Sequence, residues 1–449
     1  MNLFGTAGIR GPARERVTPE VALAVGRAVA ADGREVVVGR DGRTTGAGLA
    51  AALTSGLLSG GADVRRAGVL PTPTLAFAAR SRHGVMLTAS HNPPQDNGIK
   101  VFEDGVEYDR GGERAVEERV ADETDPARWD EWGEVERVDV LEDYRAAVAE
   151  YANRFGALLD GLRVVVDCGN GMSALATPQV LRAMGADVDA LNANVDGHFP
   201  GRESKPTAET LTDQRAFLEE GDADLGIAHD GDADRIVVLD SEGEVVHEDT
   251  VVAVLAEHYV RERDVDDPVV VTTPNASARI DERVEAAGGR VERVRLGALH
   301  EGIAHAREGG GDVVFAAEPW KHIHTAWGGW IDGVASAAVI ARLVADAGGL
   351  APLRDPVTER PYRKVSVECP EAAKADAMDL VGQRLPEQFD DATVDTDYGV
   401  RIQLPDASWV LVRPSGTEPY VRVYAESEDV DALVETATDV VEGSVSAVR

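Results

Sequence analysis

Short apolar runs that end in polar turns recur along the chain. Three of them share one pattern: EVVVGRDGR (35–43), RVVVDCGNG (163–171) and PVVVTTPNAS (268–277). Continuous apolar runs are typical of strands that are covered on both faces, and an Ala-rich segment of helical period follows each. Because more than a hundred residues separate the three runs, we predict that they open three similar α/β domains with mixed, mostly parallel sheets.

The pattern changes after residue 350. RPYRKVSVECP (360–370) and TDYGVRIQLPDASWVLVRP (396–414) resemble antiparallel strands among helices, which predicts a C-terminal α+β domain. Polar and proline-marked stretches separate the segments. We therefore predict four domains, at 1–140, 141–243, 244–350 and 351–449.

The charge of the chain restricts its partners. The 449 residues carry a formal charge of −35 that is spread along the sequence, and nucleic acid requires a basic surface. We therefore expect no nucleic-acid partner. Folded proteins this acidic repel themselves in dilute buffer, a property that halophiles use for solubility, so we expect a salt-loving source. An ordinary acidic mesophilic protein is the alternative.

The chain has no features of a membrane or disulfide-rich protein. No apolar run approaches the roughly 18 residues of a membrane span, and the first residues lack the order of a signal peptide. Two cysteines, Cys168 and Cys369, are too few for a disulfide framework. We expect a soluble cytoplasmic protein, a monomer or homodimer, with no membrane partner.

The stretch VMLTASHNPPQDNGIK (85–100) combines a short strand with a proline-stiffened polar loop that runs as far as Lys100. We expect Ser90 to be exposed at the strand end, with His91 and Asn92 as hydrogen-bonding neighbours. A serine becomes a nucleophile only when a base or a metal activates it. The alternative is a serine/threonine turn without chemistry.

Three aspartates alternate in ADLGIAHDGDADRIVVLD (223–240), between two strand-like runs. Every second side chain of an extended segment faces the same way, so Asp230, Asp232 and Asp234 should converge. Crowded carboxylates favour a bound cation, and hard oxygen ligands suit Mg²⁺. Arg235 adds a planar donor fork suited to phosphate. The alternative is a solvated acidic turn.

A third polar loop, RPSGTEPYVRVYAE (413–426), follows another strand. Backbone N–H groups and hydroxyls at Ser415, Gly416 and Thr417 could hold an anion between Arg413 and Arg422. An ordinary hairpin turn is the alternative. Lysine is scarce, so arginine supplies nearly all the positive charge: the chain has five lysines, and two of them, Lys100 and Lys321, fall in candidate site loops.

In this order and spacing, GTAGIRG (5–11), TASHNP (88–93), DGDADR (230–235) and RPSGTEP (413–419) resemble the α-D-phosphohexomutase family. The resemblance covers essentially the whole chain, and it implies three α/β domains and an α+β domain around one central cleft. It implies a mutase that moves phosphate between two positions of a sugar through a phosphoserine and a bisphosphorylated sugar, with Mg²⁺ as cofactor and a sugar 1,6-bisphosphate as activator.

The resemblance also assigns roles to residues. Ser90 matches the serine that carries the phosphate. Together with Asp230, Asp232 and Asp234, it also matches the magnesium ligands of the family. Arg10 and Lys100 match positions of proton transfer and charge stabilisation, and we expect Lys100 to be the acid/base because lysine pKa values shift readily in a crowded basic site. His91 and Arg235 complete the catalytic set. The phosphate that is not transferred would bind at Arg413, Ser415, Gly416, Thr417 and Arg422.

The sugar-recognition loop departs from the family pattern. In AEPWKH (317–322), Glu318 and His322 keep their places, but Trp320 and Lys321 replace small residues. We expect a narrower and more basic sugar pocket. The loop looks closest to archaeal phosphoglucosamine-mutase-like members, which favours glucosamine phosphate as substrate. Glucose, mannose and pentose phosphates remain alternatives, as do a phosphatase and a non-catalytic binding protein.

Overall fold

The computed structural model describes residues 3–5, 8–415 and 418–448. Gly416 and Thr417, two predicted phosphate-binding residues, lie outside the described residues. The chain divides into two compact units, one formed by the residues up to Glu248 with Trp320–Arg354, the other by Asp249–Pro319 with 355–449. The four predicted domain boundaries stay a prediction.

The first sheet contains the predicted strand 35–40 at its centre. Its strand order is β1-β5-β4-β2-β3-β7, and β6 pairs with β5. Strands β4, β2, β3 and β7 are parallel to one another, whereas β5 is antiparallel to both of its neighbours, β1 and β4. The elements are β1 (Ile9–Pro12), α1 (Pro19–Ala30), β2 (Glu35–Arg40), α2 (Gly46–Ser59), β3 (Asp63–Val69), α3 (Thr72–Ala78), β4 (His83–Leu87), β5 (Asp96–Glu103), β6 (Val106–Glu107), α4 (Arg110–Ala121) and β7 (Val135–Arg137).

Helices α1 and α2 pack closely because of two glycines. A Cβ atom on Gly26 would lie 2.4 Å from the Leu53 carbonyl oxygen, and one on Gly56 would lie 2.1 Å from that of Leu23. Both helices bury their apolar faces against strands of the sheet, and α1 begins where the Thr18 hydroxyl accepts a hydrogen bond from the Val21 N–H.

The second sheet is also mixed and mostly parallel, but it has only four strands among the described residues. Its order is β11-β10-β8-β9, in which β11 alone is antiparallel to its neighbour. The elements are α5 (Leu141–Ala152), β8 (Arg163–Asp167), α6 (Thr177–Ala183), β9 (Asp187–Leu191), α7 (Thr212–Glu220), β10 (Leu225–Ala228) and β11 (Val237–Leu239). The predicted strand 163–167 is β8, and its side chains Val164–Val166 are buried.

The third run of apolar residues also forms a central strand, β12, which pairs in parallel with β13 and β14. The elements of this region are α8 (Glu248–Glu262), β12 (Pro268–Thr272), α9 (Ala278–Ala286), β13 (Arg290–Arg293), α10 (Leu299–Glu308) and β14 (Asp312–Glu318). The chain then re-enters the first unit with β15 (Lys321–Ile323), α11 (Gly333–Ala347) and α12 (Leu350–Arg354), where α11 packs on α5 and α6.

The C-terminal region has an antiparallel sheet of order β16-β20-β19-β18-β17. Its elements are β16 (Tyr362–Glu368), α13 (Lys374–Arg384), β17 (Thr393–Asp395), β18 (Val400–Gln403), β19 (Trp409–Pro414), β20 (Tyr420–Glu426) and α14 (Val430–Val448). The predicted fold class is confirmed: three α/β regions with mixed, mostly parallel sheets precede an α+β region. Within the described residues, no helix is long and apolar enough to cross a membrane.

A buried polar network fixes the segment that precedes α11. Asp332 caps the helix by accepting from the Ala335 N–H at 2.8 Å. The same carboxylate accepts from the Tyr144 hydroxyl (2.8 Å) and from the indole N–H groups of Trp327 (2.8 Å) and Trp330 (3.0 Å). These four donors satisfy the fully buried carboxylate of Asp332, so the loss of any of them should lower the free energy of unfolding.

Two buried histidines beside this anchor should make stability depend on pH. His322 Nδ1 and His324 Nε2 lie 3.0 Å and 2.8 Å from the Ser336 hydroxyl. Burial lowers the pKa of His322 to about 3, and burial together with the His322 charge holds the pKa of His324 well below its usual value. Both rings are therefore neutral in the folded state, whereas the unfolded chain takes up protons below about pH 6.5.

We expect the free energy of unfolding to fall as the pH drops below about 6.5, by about 1.4 kcal/mol per pH unit for each histidine. Urea unfolding between pH 7 and pH 5 measures this slope. His324→Gln should make the slope shallower. Equal slopes in the wild type and His324→Gln would contradict the prediction.

Candidate active site

Ser90 is buried, which corrects the expectation that it is exposed. It lies in the loop between β4 and β5 (residues 88–95, hereafter the serine loop), and its exposure is 0%. Its hydroxyl donates to Asp230 Oδ2 at 2.6 Å and lies 3.3 Å from His91 Nδ1. The loop between β10 and β11 (residues 229–236, hereafter the aspartate loop) therefore covers the serine. Ser90 also has φ of 51°, in the left-handed region that a non-glycine residue seldom adopts.

The three alternating aspartates converge. They lie in the turn between antiparallel strands β10 and β11, and each is at most 2% exposed. One oxygen of each can be chosen so that all three lie within 4.8 Å of one another. A solvated acidic turn would leave these side chains exposed, so the burial favours the interpretation that they hold a cation.

A lysine and an arginine partly balance this negative charge. Lys100 Nζ donates to Asp234 Oδ2 at 2.8 Å and lies 3.2 Å from Glu107 and 3.7 Å from Asp232. Arg235 Nε lies 3.9 Å from both Asp230 and Asp234. The positive groups of Lys100 and Arg235 therefore lie close to the carboxylates of the aspartate loop.

The surroundings of Lys100 differ from the expected crowded basic site. Lys100 lies within β5 rather than at the end of the serine loop. Burial alone would lower its pKa, but Asp234, Glu107 and Asp232 outweigh burial and hold the pKa above its usual value. An ammonium group held in this way serves charge stabilisation better than proton transfer.

His91 and Arg10 complete the predicted catalytic set. Burial, reinforced by the charges of Arg235 and Arg10, lowers the pKa of His91 to about 3. Arg10 lies on β1, where it pairs with Gly98 of β5, and its buried Nε makes no hydrogen bond to any described residue. The structure thus brings Ser90, His91, Arg10, Lys100 and Arg235 together with the three aspartates.

The site fits a divalent metal ion on the chemistry of its donors. Among the described residues, Asp232 Oδ1 and Asp234 Oδ1 are buried and accept no hydrogen bond. Three carboxylates that face one another without enough donors are costly unless a cation neutralises them. The donor set consists of oxygen atoms alone, and Mg²⁺ prefers such ligands.

The segment 320–323 lies against the aspartate loop through its main chain. Ile236 N–H donates to the Trp320 carbonyl at 3.0 Å, and Lys321 forms a β-bridge with Arg235. Trp320 is partly buried and packs against the apolar cluster of the second sheet. That it narrows a sugar pocket stays a prediction.

The charge of Lys321 is also directed to the aspartates. Burial alone would raise the pKa of Asp234, but Lys100, Lys321 and Arg235 hold that pKa below its usual value. Lys321 thus belongs to the group of cations around the aspartate loop. His322, the neighbouring predicted sugar ligand, is 2% exposed and contacts Ser336.

The remaining predicted site residues lie in the second unit. Glu318, at the end of β14, accepts from the Gly297 N–H at 3.2 Å. Arg413 and Arg422 are direct partners in the register of β19 and β20, so their side chains share one face of a hairpin. The turn of this hairpin contains Ser415, whose N–H donates to the Tyr420 carbonyl at 2.9 Å.

Sequence reasoning missed three residues that support these loops. The Thr72 hydroxyl donates to Asp232 Oδ2 at 2.6 Å. Arg43, the last residue of EVVVGRDGR, is wholly buried against the serine loop. Lys374 is buried and donates at 2.7 Å to the carbonyls of Ser415 and Glu418, both between β19 and β20. The scarcity of lysine was the one sequence signal that could have identified Lys374.

Known families match most of the chain. Models of phosphoglucomutase/phosphomannomutase match residues 1–127 (α/β/α domain I), 142–243 (α/β/α domain II) and 365–443 (C-terminal domain). The chain is 44% identical to a phosphopentomutase of Thermococcus kodakarensis, over 95% of this chain and 94% of that protein. It is 42% identical to a probable phosphoglucosamine mutase of Methanopyrus kandleri, over 99% of both chains.

A solved structure agrees over the full length. A phosphoglucomutase/phosphomannomutase family protein from Burkholderia thailandensis superimposes with a TM-score of 0.87 and 27% identity, covering 100% of this chain and 97% of that one. The family models, the relatives and this structure all agree with the resemblance carried by the four motifs. The chain therefore belongs to the phosphoglucomutase/phosphomannomutase family of α-D-phosphohexomutases, the sugar-phosphate mutases, and to its archaeal branch.

Proposed function

We propose that the enzyme interconverts a sugar 6-phosphate and the corresponding 1-phosphate through a phosphoserine at Ser90. The observation that carries the proposal is the 2.6 Å contact of the Ser90 hydroxyl with Asp230, within a buried group of three aspartates. Lys100 and Arg235 border the same group. Phosphoryl transfer depends mainly on positioning and on neutralising charge, and this group of residues supplies both.

The chemistry consists of two transfers in opposite directions. Phosphorylated Ser90 gives its phosphoryl group to a free sugar hydroxyl: an O–P bond to the sugar forms as the bond to Ser90 Oγ breaks, and the proton of the sugar hydroxyl ends on Ser90 Oγ. The resulting bisphosphorylated sugar turns over and returns its other phosphate to Ser90. A sugar 1,6-bisphosphate would therefore prime an unphosphorylated enzyme.

The residues around Ser90 have distinct parts in these transfers. Asp230, Asp232 and Asp234, with a phosphoserine oxygen, would hold Mg²⁺, which stabilises negative charge on the transferring oxygens when bound. Lys100 and Arg235 contribute positive charge from the protein itself. His91 contacts the serine oxygen at 3.3 Å, and Arg10 adds positive charge near it. We assign Arg413, Ser415, Gly416, Thr417 and Arg422 to the phosphate that is not transferred.

The burial of Ser90 favours a mutase over a phosphatase. A phosphatase must admit water to the phosphoserine, whereas a mutase has to exclude it. Ser90 is 0% exposed and is covered by the aspartate loop. A non-catalytic binding protein would not need the complete set of serine, aspartates and cations.

We propose glucosamine phosphate as the substrate, with Glu318 and His322 as sugar ligands. The 42% identity to a probable phosphoglucosamine mutase supports this choice. A pentose phosphate is the second candidate, because the chain is 44% identical to a phosphopentomutase. Lys321 bears on the choice, since a cation beside Glu318 would repel the ammonium of glucosamine. Its charge acts on Asp234, so we expect little repulsion.

An isomerisation assay with glucosamine, glucose, mannose and ribose phosphates tests the proposal. We would run it with Mg²⁺ and the matching bisphosphate at high salt, since the charge of −35 is characteristic of proteins adapted to salt. We expect the highest kcat/KM with glucosamine phosphate. Release of free phosphate without isomer would indicate a phosphatase, and the highest kcat/KM with ribose phosphate would establish the second candidate.

The variant Lys321→Gly separates the two possible roles of this lysine. If Lys321 acts at the aspartate loop, its removal should lower kcat for every sugar and leave the ratio of kcat/KM for glucosamine and glucose phosphates unchanged. If it faces the sugar, the ratio should rise instead, because a charge pair near a protein surface is worth up to a few kcal/mol. An increased ratio with unchanged kcat would contradict our assignment.

A further inference from the structure

Arg43 makes a set of hydrogen bonds that the mutase reaction, as described above, does not use. It follows β2, and its side chain is completely buried. Its terminal nitrogens donate to four main-chain carbonyls of the serine loop and the start of β5: Nη1 to Pro93 (2.6 Å) and Asp96 (3.0 Å), and Nη2 to Ser90 (2.8 Å) and Asn92 (2.7 Å).

Asp41 connects the same arginine to the other side of Ser90. Asp41 Oδ2 lies 3.0 Å from Arg43 Nε and accepts from the Thr88 hydroxyl at 2.7 Å. The Thr88 oxygen in turn accepts from the Ser90 N–H at 2.9 Å. The N–H of Ser90 is thus linked to Asp41 through Thr88, and its carbonyl is held directly by Arg43.

These bonds hold Ser90 in a conformation that it would not adopt unaided. A left-handed backbone is strained for a non-glycine residue, and it persists only where the surroundings over-determine it. Ser90 has φ of 51°, and in this conformation its hydroxyl reaches Asp230 at 2.6 Å. A relaxed backbone at Ser90 would turn the hydroxyl away from the aspartates.

We propose that Arg43 is a positioning residue for phosphoryl transfer: it fixes the backbone of Ser90 so that the hydroxyl faces the aspartate group. The inference rests on the proposed function, in which Ser90 carries the phosphate. Only an arginine supplies a planar fork of five donors that can bind several carbonyls at once; a lysine offers one point charge. Arg43 acts through the backbone and not on the substrate.

The variant Arg43→Lys keeps the positive charge beside Asp41 and loses the fork. A displacement of about 1 Å at a reacting atom can cost about 10²-fold in rate, so we expect kcat to fall about 10²-fold. KM should change little. A second variant, Thr88→Val, preserves the shape of the side chain but removes the link between Asp41 and the Ser90 N–H. It should lower kcat in the same way, which covers the case that Arg43→Lys does not fold.

Arg342→Lys is the matched control. Arg342 is another buried arginine of the same unit, and it donates to the carbonyls of Phe155 (2.7 Å) and Gly156 (3.3 Å), in a loop that contains no predicted site residue. Its replacement should lower the free energy of unfolding while the rate of transfer is retained. Arg43→Lys should instead lower the transfer rate far more than Arg342→Lys does, even where the two variants lose the same free energy of unfolding.

The experiment measures one turnover. Enzyme is phosphorylated with labelled glucose 1,6-bisphosphate, and rapid quench follows transfer of the label from Ser90 to glucosamine 6-phosphate. Urea unfolding of each variant measures its free energy of unfolding. Transfer by folded Arg43→Lys and Thr88→Val at the wild-type rate would overturn the inference. Absence of label on wild-type Ser90 would overturn the proposed function itself, so the two failures are distinguishable.

Discussion

Replacing Ser90 with alanine is expected to lower turnover by more than about 10³-fold, because it removes the atom that carries the phosphoryl group. The protein should remain folded. The hydroxyl is nevertheless buried and donates to Asp230 at 2.6 Å, so the variant leaves a buried carboxylate oxygen without this donor. We expect a loss of about 1–3 kcal/mol in the free energy of unfolding.

Mass spectrometry and kinetics together check this prediction. Wild-type protein treated with a sugar 1,6-bisphosphate should gain one phosphate, and Ser90→Ala should gain none. The control is Ser59→Ala, which removes another buried hydroxyl, one that donates to the Gly56 carbonyl at 3.0 Å in α2. That variant should keep full turnover. Substantial turnover by Ser90→Ala, or phosphate on a different residue of the wild type, would remove Ser90 from its role.

The sequence was sufficient to predict the α/β framework because the signals are local. Each of the three VVV runs is a central strand followed by a helix, as in β2, β8 and β12. Continuous apolar runs are required wherever a strand is covered on both faces. The convergence of Asp230, Asp232 and Asp234 is also local, since all three belong to one short turn between β10 and β11.

The environment of each site residue could not be predicted, because it depends on contacts distant in sequence. Ser90 is buried by Asp230, which is 140 positions away. Lys100 gains a raised pKa from Asp234, 134 positions away, in a site that the sequence suggested would be basic. A motif shows which chemical groups are present, but burial and partners are determined by contacts between segments that are distant in the sequence.

Trp320 shows the same limit for specificity. Beside Glu318 and His322 in the sequence, a large aromatic residue suggested a narrower sugar pocket. In the structure, the indole is part of the apolar cluster of the second sheet, because the main chain at Trp320 and Lys321 pairs with Ile236 and Arg235. The sequence alone thus did not show that a side chain of a predicted recognition loop also packs against a distant apolar cluster.

The largest effect of a single charge is expected at Asp232. Its Oδ2 accepts from the Thr72 hydroxyl, while its buried Oδ1 accepts no hydrogen bond from the described residues. Asp232→Asn preserves the size of the side chain and an oxygen for Thr72, but it removes a negative ligand from a group of three. Metal affinity and turnover should therefore fall together. We expect turnover to fall by at least about 10²-fold, because this electrostatic contribution is lost.

Without metal, the same substitution should have the opposite effect on stability. Three carboxylates within 4.8 Å repel one another, and Asp232→Asn relieves part of this repulsion. We expect metal-free Asp232→Asn to melt at a higher temperature than the metal-free wild type. Saturating Mg²⁺ should stabilise the wild type, by about 2.7 kcal/mol at a concentration of 100 Kd, and should stabilise the variant far less.

Thr72→Val separates the ligand from its support, because it removes the hydrogen bond to Asp232 and leaves all three carboxylates in place. It should retain most of the stabilisation by Mg²⁺, whereas Asp232→Asn should lose it. Melting curves of the three proteins, with excess chelator and with Mg²⁺, measure the difference without relying on activity. Equal stabilisation of wild type and Asp232→Asn by Mg²⁺, or full turnover of the wild type in excess chelator, would show that the aspartate group does not hold the catalytic metal.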